Sequence, residues 1–288
     1  MSDEYNAKIV GFPDHIEVIK YGKTRRKPGR QIIRATEPKI RDEDEQELYD
    51  YQQAQKIRRK IKYYCQSNDF DLFWTLTFDD NKVDARDYPY AKKRLRAWLK
   101  YQREKYGKFQ YIFVAELHKS GRIHFHGLTA GFSPPLTEAR SPKTNRLIKK
   151  KGLQIYNAET WKNGFSTVSK IQDREKTANY ISKYITKELM AIPSGYHQPR
   201  YFVSRGLNQP DIEYKTIADK ELANFIPTFV AGELDMNTLE FEKTVSIYNL
   251  KENDKKELIQ DSTPDTVIKS RMKTKRDKND SNEKETDS

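Results

Sequence analysis

Gly121-Arg122-Ile123-His124-Phe125-His126-Gly127 decides the reading of this chain, because its polar and apolar residues alternate with the period of a half-buried strand. Residues two apart in a strand share a face, so His124 and His126 project side by side while Phe125 turns into a core. Residues 110–117 form a second strand, and Lys119-Ser120-Gly121 turns the chain between the two. Upstream, residues 70–78 are rich in aromatic and β-branched side chains and end at Asp79-Asp80-Asn81, a strand followed by a turn. A helix is expected over residues 90–106, with Ala91, Leu95, Trp98 and Leu99 on its buried side. Downstream come a basic excursion over 131–152, strands over 153–156 and 165–171, and a helix from Asp173 that carries Tyr180 to Tyr184. This order predicts an α+β fold, a central antiparallel sheet with packed helices.

The flanks read differently. Residues 1–41 hold a possible strand pair, 8–12 with 15–21, then Lys23-Thr24-Arg25-Arg26-Lys27-Pro28-Gly29-Arg30, a loop or arm suited to nucleic acid. A helix over 42–66 opens with acids and places bases near its end, as the helix dipole favours. Strands are possible at 200–204 and 244–248, and no role is assigned to the region from Tyr201 to Pro210. From Lys251 the chain is too polar to offset its ordering entropy by burial. The expected organisation is therefore residues 1–66 as N-terminal strands, arm and helix, 67–192 as the core, 193–250 as its extension, and 251–288 as a disordered charged tail.

The chain has 288 residues, 54 of them basic and 42 acidic, for a net charge of +12. That surplus is the footprint of a polyanion binder. Eighteen tyrosines, thirteen phenylalanines and three tryptophans interleave with the basic residues, which suits base stacking beside phosphate contacts. A single cysteine, Cys65, forbids an intrachain disulfide, and no leader-like segment or apolar run of about 20 residues is present. A soluble protein of a reducing cytoplasm, with no membrane partner, is expected.

His124 and His126 are a candidate metal pair, and Glu116 on the preceding strand is the candidate third ligand. A three-residue turn that sets His118 opposite Arg122 also sets Glu116 opposite His124, with all three ligands on one face. A two-residue turn at Ser120-Gly121 instead pairs Glu116 with Phe125 and sends it to the other face. Two imidazoles and a carboxylate leave positions open for phosphate oxygens, which suits Mg²⁺ or Mn²⁺. His118 is a spare ligand or a solvated side chain, and His15 and His197 have no evident partners.

On a helix, Tyr180, Lys183 and Tyr184 share a surface. A phenol with an ordinary pKa of about 10 needs a nearby cation or base before it attacks phosphorus. Lys183 and a metal both supply positive charge to Tyr180, while Tyr184 is placed for a second transfer. The bland reading of each motif is a solvated strand face and a tyrosine-bearing amphipathic helix.

Together these segments resemble the HUH endonucleases, in particular the rolling-circle replication initiators of bacterial plasmids and single-stranded DNA phages. Phe73-Trp74-Thr75-Leu76-Thr77-Phe78 is similar to the first family motif, residues 121–128 to the histidine motif and Tyr180-Ile181-Ser182-Lys183-Tyr184 to the catalytic motif. The resemblance spans about residues 70–190. It implies a ferredoxin-like antiparallel palm, metal ligation by His124, His126 and Glu116, and attack by Tyr180 with Lys183 assisting. Tyr184 is then the second tyrosine. The implied activity nicks one strand of single-stranded or supercoiled origin DNA, keeps the 5′ phosphate on tyrosine and leaves a 3′ hydroxyl for a host DNA polymerase.

Gly127 departs from the family pattern, since it adds no ligand. Gly22-Lys23-Thr24 lacks the earlier glycine of a phosphate-binding loop, Glu17 standing there. A host helicase is therefore an expected partner in a bacterial host. Origin DNA is expected to contact Arg25, Arg26, Lys27, Arg30, Lys149, Lys150 and Lys151. A relaxase or single-strand transposase uses the same chemistry. An Fe²⁺ oxygenase leaves the tyrosines unexplained, and a non-catalytic single-strand binder leaves the histidines unexplained.

Overall fold

The computed structural model describes residues 3–27, 41–141, 143–150, 152–186, 189–190, 200–236, 238–260 and 263–272. In chain order the elements begin β1 (Glu4–Gly11), β2 (Ile16–Arg26), α1 (Glu43–Ser67), β3 (Leu72–Phe78), α2 (Tyr88–Tyr106), β4 (Gln110–Leu117) and β5 (Ile123–Ala130). There follow β6 (Thr137–Glu138), β7 (Lys149–Lys150), β8 (Leu153–Gln154), β9 (Tyr156–Asn157), β10 (Gly164–Lys170) and α3 (Arg174–Ser182). The last are β11 (Tyr201–Val203), β12 (Asp211–Lys215), β13 (Phe229–Leu234), β14 (Phe241–Glu252), β15 (Leu258–Ile259) and β16 (Val267–Met272). Contacts divide them into two units, Thr36–Gln209 and a second made of Met1–Ala35 with Pro210–Ser288.

The Thr36–Gln209 unit is the α+β body expected from the sequence. Its sheet runs β11-β4-β5-β3-β10-β9-β6, and every pairing in it is antiparallel. Alternation in β3 explains its two faces: Trp74, Leu76 and Phe78 are buried, while Phe73, Thr75 and Thr77 lie on the other side. The Trp74 face carries α2. Trp98 of that helix meets Trp74 at 5.7 Å, Phe113 at 6.0 Å and Trp161 at 5.6 Å between ring centroids. Asp87 starts α2 by accepting a hydrogen bond from the Tyr90 amide at 3.0 Å, and Gly107, with φ +85°, ends it in a conformation that favours glycine. The Phe73 face carries α3, whose Tyr180 ring lies 5.5 Å from Phe73.

The glycine after the histidine pair has a packing reason. Gly127 stands opposite Phe113, and a Cβ there would come within 2.2, 2.3 and 2.5 Å of three carbons of the Phe113 ring. It also shares the face of Phe125, so a side chain at 127 points away from His124 and His126.

The second unit is a sheet of order β12-β1-β2-β14-β13-β16, with β15 paired to β14. All pairings are antiparallel except β13 with β16. Val18, Leu222 and Leu250 form a buried cluster within it. The Asn6 side chain ties the ends together, donating to the Ile217 carbonyl at 3.1 Å and accepting from the Ile217 amide at 2.8 Å.

Several sequence expectations differ from this arrangement. The boundaries expected after residues 66, 192 and 250 fall instead near 35 and 209, because Ile61 and Cys65 of α1 are buried in the same core cluster as Trp74, and strand pairing takes residues 211–272 to the amino-terminal hairpin. Within the tail expected to be disordered, β15 and β16 are formed, and residues 273–288 lie outside the described residues. The basic stretch 23–30 reads as a loop in sequence, yet Lys23 to Arg26 continue β2, with Arg25 and Arg26 paired to Tyr5 and Glu4. The excursion 131–152 holds short strands, since β6 pairs with β9 and β7 with β8. The last turn of α1 holds no base; its lysines and arginines sit further back.

Candidate active site

The hairpin β4–β5 sets the histidines. The His118 amide donates to the Arg122 carbonyl at 2.8 Å, and Gly121, at φ +79°, closes a three-residue turn as only a left-handed residue can. Glu116 therefore stands opposite His124, and Val114 opposite His126. Glu116, His124 and His126 share the face that carries α3, and the two-residue turn that would have separated them is not formed.

Burial and charge then prepare these groups. A hydrogen bond of 2.7 Å joins His126 Nε2 to Glu116 Oε2, and the same histidine's Nδ1 lies 3.2 Å from Thr75 Oγ1. The His126 hydrogen bond holds the Glu116 carboxyl below its usual range, against the opposing effect of burial. Burial lowers the pKa of His126 despite Glu116, and it does the same to His124. Both imidazoles are thus biased toward the neutral form that metal ligation needs. His124 stacks on His118 at 5.5 Å with 8° between the rings, and His118 Nδ1 contacts Ser120 Oγ at 3.0 Å. Among the described residues, no group of three or more His, Cys, Asp or Glu side chains is arranged to hold a metal ion. The donor types fit such an ion, but the His126 to Glu116 hydrogen bond occupies two of the donor atoms.

The tyrosines arrive from α3. Asp173 caps its first turn by accepting from the Lys176 amide at 2.8 Å, and the helix closes at Ser182, one residue short of Lys183. Bonds from Tyr184 N to Ile181 O and from Ile185 N to Ser182 O carry the chain on as tighter turns. This brings the Tyr184 ring flat on His126, at 3.6 Å between centroids and 5° between planes. Tyr180 meets Tyr184 edge-on at 5.4 Å and keeps 42% of its surface exposed. Burial raises the Tyr184 pKa far above normal, reinforced by its hydrogen bond with Tyr180 and by the Glu116 charge.

The structure therefore brings together Glu116, His124, His126, Tyr180 and Tyr184. Lys183 is exposed at the helix end, and the ammonium found beside the Tyr180 ring is that of Lys150, 5.9 Å from its centroid. Lys149 shares the short strand β7 with Lys150, while Lys151 and Arg30 lie outside the described residues. Arg25, Arg26 and Lys27 belong to the other unit, where Arg25 covers the Tyr21 ring at 3.8 Å. His15 has partners after all, Asp14 at 2.7 Å and the Phe12 ring, and His197 lies outside the described residues. Sequence reasoning missed Thr75 as the partner of His126. The alternation of β3 already put Thr75 on the correct face, but only the pairing of β3 with β5 reveals its neighbour.

No described helix is long and apolar enough to cross a membrane. No curated protein and no solved structure matches the chain. Residues 71–189, the span that holds both histidines and both tyrosines, match the family model of the ORF2 type of replication-associated protein, and that match supports a family of DNA-binding, rolling-circle replication initiators for this chain.

Proposed function

We propose that the Thr36–Gln209 unit is an HUH-type endonuclease that nicks one strand of origin DNA through Tyr180, starts rolling-circle replication and later rejoins the strand. The observation that carries this reading is the stacking of Tyr184 on His126 at 3.6 Å, which joins the tyrosine pair to the histidine and glutamate face. Glu116, His124 and His126 would hold Mn²⁺ or Mg²⁺. Ligation through His126 Nε2 replaces its bond to Glu116, and Nδ1 then donates to Thr75 Oγ1, which fixes the tautomer. When bound, the metal supplies Lewis-acid polarisation of the scissile phosphate.

The rest falls to the chain's own groups. Tyr180 gives up its phenolic proton, its oxygen bonds to phosphorus, the bond from phosphorus to the 3′ oxygen breaks, and that oxygen leaves as a hydroxyl after taking up a proton. Tyr184, held protonated, donates a hydrogen bond to the ionised Tyr180, and Lys150 and Lys183 add positive charge nearby. Tyr184 is the acceptor for the second transfer. A host helicase opens the duplex and a host polymerase extends the 3′ end, in the cytoplasm of a bacterial host. The family match favours an initiator over a relaxase or a transposase.

The test incubates the protein with Mn²⁺ and labelled single-stranded DNA from its own replicon and follows label that migrates with protein on a denaturing gel. Label should be retained by wild type and lost with His126→Ala. Tight binding without any covalent species would refute the reading and support a non-catalytic single-strand binder.

A further inference from the structure

A second basic surface lies on the unit that holds the tyrosines, away from them. Between α2 and the edge strand β11 is a cleft of about 710 Å³. Arg96, Lys100, Arg103 and Lys108 line it, against one carboxylate, Glu104, which Lys100 already engages at 3.7 Å. Arg96, Lys100 and Arg103 are four and three residues apart, so they form one stripe along the helix, with about 6 Å of rise between the first two. The Arg103 Nε is buried with no hydrogen-bond partner among the described residues. Tyr111 and Tyr201 supply aromatic walls.

The position of this cleft matters as much as its charge. Since α2 covers the Trp74 face of the sheet and Glu116 lies on the opposite face, the cleft and the tyrosine site are separate surfaces of one body. The edge strand β11 lies between them. Phe202 turns to the α2 side, where it packs on Phe125 at 5.9 Å, and Tyr201 turns to the other side, where it is hydrogen-bonded with Lys60 of α1. Cations therefore flank the edge strand on both faces.

We propose that this cleft binds the sugar-phosphate backbone of a DNA strand, its four cations engaging successive phosphates and its tyrosines stacking on bases, as a second DNA site on the unit. Cationic grooves with aromatic walls bind single strands without sequence preference. The proposal rests on the endonuclease reading, and it extends that reading by giving the flanking DNA a path round β11.

The test measures affinity for a labelled single strand by fluorescence anisotropy across a salt series, for wild type and for Arg96→Glu/Lys100→Glu/Lys108→Glu. Each phosphate contact contributes about 0.7 to the slope of log affinity against log salt on single strands, so losing three contacts should lower the slope by about 2. The milder Arg96→Gln/Lys100→Gln/Lys108→Gln set keeps the surface free of new acids, and its unchanged tryptophan emission would show that the fold persists. Its slope should fall in the same way. A short strand spanning only the cleavage site should still be captured covalently by both variants. Slope and affinity equal to wild type in both variants would overturn the proposal, as would a change confined to self-association. Failure of wild type to form any adduct would refute the endonuclease reading, and the salt slopes would still decide the cleft.

Discussion

Replacing Gly127 by alanine tests how the sheet is built beneath the histidines. The added Cβ would fall 2.2 to 2.5 Å from three carbons of Phe113, a ring with no exposed surface and with Trp98 6.0 Å from its centroid. The ring has no vacant space to enter, so overpacking should cost about 1 to 3 kcal/mol. For a unit of this size that corresponds to a fall in Tm of about 2 to 12 °C. Trp74, Trp98 and Trp161 all belong to the Thr36–Gln209 unit, and the chain has three tryptophans, so tryptophan fluorescence follows this unit alone. Phe113→Ala removes the ring and by itself should cost about 3 to 5 kcal/mol. Combined with Gly127→Ala it should cost less than the sum, by roughly 0.5 to 3 kcal/mol, because the clash is gone. An unchanged Tm for Gly127→Ala, or an additive double variant, would refute the packing argument.

Further predictions concern the site. The lowered pKa values of His126 and His124, caused by burial, and of Glu116, caused by its bond to His126, mean that the folded chain holds fewer protons than the unfolded chain. In a chelator, stability present above about pH 6.5 should therefore be lost as pH falls through the histidines' lowered folded values, with the Glu116 share going below about pH 4.5. His126→Gln should flatten the upper part of that profile in urea titrations, and a profile superimposable on wild type would contradict the account. Lys150→Gln removes the ammonium beside Tyr180 and should slow adduct formation about two- to fivefold without changing the attachment site. An unchanged rate would remove Lys150 from the site. Tyr184→Phe should retain the first covalent step and lose rejoining, as seen by incubating the adduct with a strand that ends in a 3′ hydroxyl. Loss of the first step instead would reverse the assigned order of the tyrosines.

What the sequence disclosed was local. Alternation through residues 72–78 and 123–130 gave each strand its two faces, and the choice between two turns reduced to one question about His118 and Arg122, answered by the left-handed Gly121. Helix starts were legible where Asp42 and Asp87 cap the first turn. Distant pairings were not. The neighbour of β2 is β14, more than 200 residues away in sequence, and no periodicity within either strand identifies it. β16 adds to β13 from a charge-rich stretch whose composition argues for disorder, because its ordering depends on a ready sheet edge rather than on its own apolar content. The contact of Thr75 with His126 and the place of Lys150 beside Tyr180 likewise follow from strand order and from the folded excursion, which no local pattern encodes.

The central claim is that Tyr180 becomes covalently attached to DNA. Proteolysis of the Mn²⁺-dependent adduct, followed by mass spectrometry of the nucleotide-bearing peptide, tests it most directly. The account predicts a 5′-phosphonucleotide on Tyr180 in wild type and none there in Tyr180→Phe. A nucleotide on a residue outside the Tyr180 and Tyr184 pair, or an adduct that persists unchanged in His126→Ala, would contradict it.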